Sequence, residues 1–143
     1  MKPAPKKNKN GAKAAVSRQA ESLYQENILD HYRDPRNAGR LADASFSRRE
    51  TNYSCGDDVE LFVKLDRSGK VSEVRFDGHG CAISQAATSM LTEHIKGLTR
   101  RQLLELTDAD MLKLLGIAIG PSRLRCATLG FKALRSGLDA RKD

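Results

Sequence analysis

The chain's three thiols, Cys55, Cys81 and Cys126, lie 26 and 45 positions apart, and the first stands in Tyr53-Ser54-Cys55-Gly56-Asp57-Asp58. Extended or turning backbone points residues i and i+2 to the same side, so the Cys55 sulfur and the Asp57 carboxylate can converge on one ion while Gly56 lets the chain bend. Cys-Gly-Asp alone is a weak signal, because a short acidic loop holding a cysteine is more often an ordinary turn. The other thiols sit in Gly78-His79-Gly80-Cys81-Ala82-Ile83-Ser84 and Arg123-Leu124-Arg125-Cys126-Ala127-Thr128-Leu129. A fold that uses all three has to gather distant segments at one place. The plain role of a cysteine is a small buried hydrophobe. That suits Cys126 beside Ala127 and Leu129, but not Cys55 in its polar loop.

At 143 residues the chain is one domain's worth, with enough Leu, Ile, Val and Ala for a single core although Trp is absent. Of the net charge of +7, residues 1–20 supply +6 through Lys2, Lys6, Lys7, Lys9, Lys13 and Arg18, with no acid. The remaining 19 basic residues against 18 acidic leave the rest at +1, a balance that gives no sign of a nucleic-acid face. Residues 1–19 are too polar to bury anything and read as a disordered basic tail, leaving 20–143 as the folded domain. The tail's lack of acids is shared with organelle transit peptides, but those favour Arg and here only Arg18 appears. No stretch reads as a signal peptide or a membrane span, so a cytoplasmic protein without a membrane partner is expected. In such a reducing compartment an odd number of cysteines points to thiols or thiolates rather than disulfides.

Along the chain, residues 17–33 have helical spacing through Tyr24, Ile28, His31 and Tyr32, ending at Asp34-Pro35. His31 on that face reads as a core histidine with a satisfied hydrogen bond. Residues 41–51 give a ragged first strand, and Val59 to Leu65 alternates as a second. A hairpin at Asp66-Arg67-Ser68-Gly69 leads to a third strand over Val71 to Asp77. Adjacent antiparallel strands would bring the Cys55 loop and Cys81 to the same end of the sheet. Ala82 to Ile95 reads as a well-buried helix capped by Gly97. Two short helices follow over Thr99 to Leu106 and Thr107 to Leu115, with Asp108 a plausible cap for the second. After Pro121, Cys126 is expected to open a last helix, which would place it, like Cys81, at a helix N-terminus that favours the thiolate.

Three thiolates and one carboxylate, Cys55, Asp57, Cys81 and Cys126, then make a tetrahedral set. Soft sulfur ligands favour zinc or iron-sulfide over magnesium or calcium, and four protein ligands leave no open position for a catalytic water. Asp57 is the informative member, since a carboxylate holds a cluster iron less firmly than a thiolate does. A site built this way can let its cargo go.

These residues carry a family resemblance. Leu23-Tyr24, Ile28-Leu29-Asp30-His31-Tyr32, Pro35-Arg36-Asn37, Cys55-Gly56-Asp57, Gly78 to Ser84 and Arg125-Cys126-Ala127-Thr128-Leu129 together resemble the U-type iron-sulfur cluster assembly scaffolds, over residues 22 to 138. The resemblance implies an α+β fold in which a small three-stranded antiparallel sheet packs against several helices. It also implies that Cys55, Asp57, Cys81 and Cys126 form the site where sulfur from a cysteine desulfurase meets iron, or where zinc sits. The expected role is a scaffold or sulfur carrier rather than a conventional enzyme. A [2Fe-2S] cluster or sulfur would pass to apo iron-sulfur acceptor proteins, with Cys55 as the sulfur acceptor and Cys126 as the alternative. Arg125 replaces the histidine that precedes the third cysteine in the Isc-type branch, and Cys-Ala-Thr-Leu is similar to the Suf-type branch. The 45-residue spacing between the second and third cysteines resembles the Isc-type length, and Gly120-Pro121-Ser122-Arg123 stands where Isc-type members carry Leu-Pro-Pro-Val-Lys. The pattern is that of a short, Suf-like form.

Two mechanisms use the same four residues. A scaffold would build a [2Fe-2S] cluster, whereas a zinc-dependent sulfurtransferase would hold zinc and release Cys55 to attack the desulfurase persulfide. His79, flanked by glycines, reads as a solvated loop histidine or as a ligand that exchanges when a cysteine leaves. A zinc-stabilised nucleic-acid-binding module is disfavoured by the near-neutral domain. A Cys-His hydrolase lacks any accompanying oxyanion signature.

Overall fold

The computed structural model describes residues 23–140. The expected tail and the start of the first helix lie outside them. Strands β1 (Phe46–Asn52), β2 (Asp57–Leu65) and β3 (Val71–His79) form an antiparallel sheet in the order β1-β2-β3. Helix α1 covers residues 23–33. It is joined by α2 (Ala82–Ile95), α3 (Arg100–Glu105), α4 (Asp108–Leu115), α5 (Pro121–Ala127) and α6 (Leu129–Ala140). This is the expected α+β architecture. The first strand begins later than its ragged pattern suggested, and β3 runs on to include His79.

The alternation in β2 separates two faces. Asp57, Val59, Leu61 and Val63 are all buried on one side, continued on β3 by Val74 and Phe76, and this face packs against α2 and α6. Asp57 is therefore the last member of the row that forms the core, while its neighbour Asp58 faces outward and meets Arg49 at 2.6 Å. The outer face is a lattice of charge pairs, Arg40 reaching Glu60 at 3.1 Å and Asp77 at 3.3 Å. The Arg40 guanidinium lies 4.7 Å over the Phe62 ring, which is how a phenylalanine on the polar side stays buried.

Helix α2 runs through the middle of the molecule, and Ala86, Ala87, Thr88, Ser89, Leu91 and Thr92 are buried along it. Its small side chains permit close approach. A Cβ added to Gly130 of α6 would sit 2.5 Å from Thr88 Oγ1. The two threonine hydroxyls are satisfied within the helix, Thr88 donating to the Ser84 carbonyl at 2.8 Å and Thr92 to that of Ser89 at 2.6 Å. Helix α1 docks on α2 through Ile28 and the buried His31, whose Nδ1 lies 2.7 Å from Ser89 Oγ. The expected core histidine with a satisfied bond is there. Both short helices carry capping boxes, Thr99 with Gln102 and Thr107 with Asp110. The cap of α4 is thus Thr107 and not Asp108, which lies inside the first turn.

The hairpin after β2 is held by Asp66 Oδ1, which accepts from the Ser68 and Lys70 N–H groups at 2.9 and 3.0 Å. Residues 37–39 lie along the outer edge of β3, where the Phe76 N–H donates to the Asn37 carbonyl and the Gly39 N–H donates to the Phe76 carbonyl. Asn37 pins this segment with three more bonds, donating to Thr92 Oγ1 and accepting from Arg75 and Lys96. At the other end of β3, Gly78 has φ 151° and its missing Cβ would fall 2.0 Å from the Asp58 carbonyl oxygen. Gly69 in the hairpin also has positive φ, 84°, but nothing lies within 4 Å of its Cβ position. Gly78→Ala is accordingly expected to cost roughly 3 kcal/mol or more, strain and overlap together, against about 1 kcal/mol for Gly69→Ala. Urea unfolding of the two variants checks the difference.

Candidate metal centre

Between β1 and β2 the chain turns over Asn52 to Gly56, with the Gly56 N–H donating to the Asn52 carbonyl at 2.8 Å and Gly56 at φ 77°. The turn leaves Cys55 exposed at its tip. Two residues later Asp57 re-enters the core row and is 2% exposed. Pairing of Asp58 with His79 fixes the β2 start beside the β3 end, so Cys81 follows at the same end of the sheet. Cys81 is the N-cap of α2, its sulfur accepting from the Ser84 N–H at 3.4 Å.

These loops converge. Cys55 Sγ lies 3.2 Å from Asp57 Oδ2 and 3.4 Å from Cys126 Sγ, and the ligand atoms of Cys55, Asp57 and Cys126 all fall within 4.8 Å of one another. Cys81 Sγ stands 3.7 Å from Asp57 Oδ2, and the Cys81 N–H donates to Asp57 Oδ1 at 3.0 Å. With zinc-sulfur bonds of about 2.3 Å, the edge of a tetrahedron is roughly 3.8 Å, so the spacings among Cys55, Asp57 and Cys126 are near those of a soft-ion site, while Cys81 adjoins Asp57 but stands outside the group of three whose ligand atoms all lie within 4.8 Å of one another. Three sulfurs and one carboxylate oxygen are also the right donor chemistry for zinc or for a cluster iron. The residues fit the group.

Burial works against the Asp57 carboxylate, but hydrogen bonds from the thiols of Cys126 and Cys55 and from the Cys81 N–H outweigh it and hold its pKa below the usual carboxylate value. Cys126 behaves in the opposite way. Burial first, then the neighbouring Asp57 and Cys55, push its thiol pKa well up. The expectation that Cys126 opens the last helix is wrong in a way that explains this. Cys126 is in the last turn of α5, 5% exposed, where the helix ends toward its negative pole, and α6 begins only at Leu129. Arg125 beside it is exposed, and its guanidinium lies 3.5 Å from Ser54 Oγ. His79 ends β3 as an exposed residue.

Two contributors were missed in the sequence. Gly80 leaves the space that Asp57 and Ser84 occupy, since a Cβ there would lie 2.5 Å from Asp57 Oδ1 and 2.6 Å from Ser84 Oγ. Asn52 is 7% exposed, and its Nδ2 donates to Cys55 Sγ at 3.0 Å and lies 3.9 Å from Cys126 Sγ. An Asn three residues before a turn cysteine is a recognisable Asx-turn signal, and here its Oδ1 accepts from the Ser54 N–H at 3.2 Å.

An antiparallel meander backed by helices, with a sulfur-rich corner at one end of the sheet, is an α+β domain suited to holding a soft metal. The model of the NifU-like N terminal domain matches residues 23–142, and the chain belongs to that family, as its U-type motifs implied. It is 37% identical over 135 residues to the zinc-dependent sulfurtransferase SufU of Bacillus subtilis (strain 168), covering 82% of this chain and 90% of that protein. It is 38% identical over 112 residues to the iron-sulfur cluster assembly scaffold protein IscU of Aquifex aeolicus (strain VF5), covering 78% and 71%. Among solved structures, a candidate iron-sulfur cluster assembly scaffold for the SUF system from Fervidobacterium islandicum AW-1 superposes with a TM-score of 0.68 at 30% identity, over 83% of this chain and 98% of that one. A NifU-like N-terminal domain from Brucella abortus shares the fold, with a TM-score of 0.67 at 21% identity over 83% and 94%.

The protonation pattern has two limbs in the metal-free protein. Asp57, depressed when folded, stabilises above its unfolded pKa of about 3.9, and that stability is lost as pH falls through the lower folded value. Cys126, raised when folded, keeps its proton while the unfolded thiol ionises above about 8.5, so stability falls as pH rises from there, by at most about 1.4 kcal/mol per unit. Urea unfolding of the chelator-treated protein between pH 7 and 10 is expected to show this alkaline decline, and Cys126→Ala to flatten it.

Proposed function

We propose that this chain is an iron-sulfur cluster assembly scaffold that accepts sulfur from a cysteine desulfurase and binds iron or zinc through Cys55, Asp57, Cys81 and Cys126. Its products would be a [2Fe-2S] cluster or sulfur, delivered to apo acceptor proteins. The observation that carries the reading is the convergence of Cys55, Asp57 and Cys126 within 4.8 Å, with Cys81 against the same carboxylate at 3.7 Å. Family membership and the named activities of the relatives support it. Residues 20–143 are the working domain in this proposal. No helix among the described residues is long and apolar enough to cross a membrane, and the proposed setting is the cytoplasm.

The four ligands differ in freedom, and this suggests a division of labour. Cys126 is locked in a helix and buried, Cys81 caps a helix, and Asp57 ends a core row, whereas Cys55 is exposed on a turn. Cys55 is the thiol able to leave the group and meet another protein. As a thiolate it would attack the outer sulfur of the desulfurase persulfide. A bond forms between Cys55 Sγ and that sulfur, the persulfide S–S bond breaks, and the desulfurase cysteine departs with the electron pair as a thiolate. No net oxidation or reduction occurs. That exposure also favours the second reading, a zinc-dependent sulfurtransferase in which zinc stays bound and Cys55 passes its sulfur on. Cys126, which burial holds as a thiol, is the weaker acceptor of the two.

Metal analysis with visible spectroscopy separates the readings. One zinc per chain, with a featureless spectrum that persists after anaerobic incubation with iron, cysteine and desulfurase, identifies the sulfurtransferase; a sulfide-to-iron absorption band identifies the scaffold. Asp57→Cys is expected to retain zinc or cluster at least about tenfold more tightly and to transfer more slowly, because a fourth thiolate removes the weakest bond to a soft centre. Asp57→Ala is expected to bind more weakly and to lose the metal-linked gain in melting temperature. Equal retention and transfer in both variants and the parent protein would show that Asp57 is no ligand.

A further inference from the structure

We infer that Asn52 is a positioning residue of the metal centre, holding the Cys55 and Cys126 sulfurs with one side-chain amide and drawing negative charge off them. The inference rests on the metal-binding reading above. Asn52 is the last residue of β1 and pairs directly with Asp57 in the β1–β2 ladder, so the register sets both side chains on the core face at the same end. The orientation of its amide is fixed by the backbone. The Ser54 N–H can only donate, so the atom it meets at 3.2 Å is Oδ1, and the NH2 group is left facing the sulfurs. Cys55 Sγ lies 3.0 Å from Nδ2 and Cys126 Sγ 3.9 Å, so the short bond goes to the exposed thiol on the turn.

At 7% exposure this amide has little water to turn to, and burying it without acceptors would be unfavourable. Two thiols supply weak acceptors, and two thiolates supply stronger charge-assisted ones. The amide therefore gains most when both sulfurs are deprotonated, which is the state a metal demands. It also ties the turn geometry to the ligand, because the same residue's carbonyl accepts the Gly56 N–H and shapes the loop that carries Cys55. Residues that orient metal ligands from behind are commonly worth ten- to a hundredfold in metal affinity. Aspartate at this position, acceptor-only when ionised, would lack the donor that faces both sulfurs.

The test uses the full chain and zinc or cobalt(II) as probes. Zinc affinity by chelator competition is expected to fall about 10- to 100-fold in Asn52→Asp, which keeps the acceptor for the Ser54 N–H but turns an oxygen toward the sulfurs, and by a smaller factor in Asn52→Ala. In the cobalt-loaded proteins the sulfur-to-metal charge-transfer band is expected to move to lower energy in both variants, since unrelieved thiolates are easier to oxidise. A band unmoved in position, with affinity within twofold of the parent, overturns the inference; weaker binding with an unmoved band does so as well, because it assigns Asn52 to loop structure alone. Should either variant fail to fold, the parent protein decides. On adding cadmium-113 its Asn52 side-chain amide protons are expected to shift downfield and to exchange more slowly, and unchanged amide signals overturn the proposal. If the parent chain binds none of these metals, it is the metal-binding reading that falls.

Discussion

The carboxylate of Asp57 is the point on which the site is assembled. It occupies the position where β2 would place one more apolar side chain against the helices, and it is stable there because each neighbour offers it a hydrogen: the thiols of Cys55, Cys81 and Cys126 and the Cys81 N–H. A buried carboxylate without such partners would be costly by several kcal/mol. The same contacts that satisfy the acid draw the sulfurs in, so the geometry of the ligand set follows from the polar requirements of one core position. Two glycines serve that arrangement, Gly78 near the end of β3 by letting the strand cross close to Asp58 and Gly80 just past it by leaving room for the carboxylate itself.

Much of this was legible in the sequence, and the reasons differ by element. The alternation of Val59 to Leu65 and the apolar run from Ala82 to Ile95 are strong periodic signals, and the structure has β2 and α2 where they predicted. Sharing one end of the sheet follows from hairpin geometry alone, so Cys55 and Cys81 were foreseeable neighbours. The surroundings of Cys126 were not. Pro121 opens a seven-residue helix of its own, Thr128 interrupts it, and a second helix starts at Leu129, a break that no proline announces and whose nearest glycine, Gly130, falls inside the second helix. An expected thiolate at a helix start thus became a buried thiol at a helix end. Likewise Asp108 and Thr107 are both good caps, and only the backbone decides which hydroxyl or carboxylate meets the Asp110 N–H. Asn52 escaped notice because its partners are brought to it by tertiary structure, Cys126 lying 74 residues away.

The four proposed ligands also differ in how firmly the fold holds them. Cys126 and Asp57 belong to packed elements, Cys81 to a helix cap, and Cys55 to a turn whose tip is open to solvent. Three residues set in packed elements and a fourth exposed on a turn is the arrangement that would let a centre keep its shape while one ligand changes partners. The clamp on Cys55 is a side-chain amide rather than a helix, and a side chain can let go without unfolding anything.

The segment at residues 37–39 has a consequence for the protein in concentrated solution. A three-stranded meander whose rim strands have seven and nine residues offers backbone donors and acceptors along its rims, and such a rim is a template on which another chain can add a strand. Here Phe76, at the middle of β3, already spends its outward N–H and carbonyl on Asn37 and Gly39, and Asn37 is itself anchored to Thr92, Arg75 and Lys96. Removing those three anchors would free the rim without touching a core side chain. Self-association through β3 would then compete with folding, so the cover over the middle of this rim rests on one asparagine well away from the candidate metal centre.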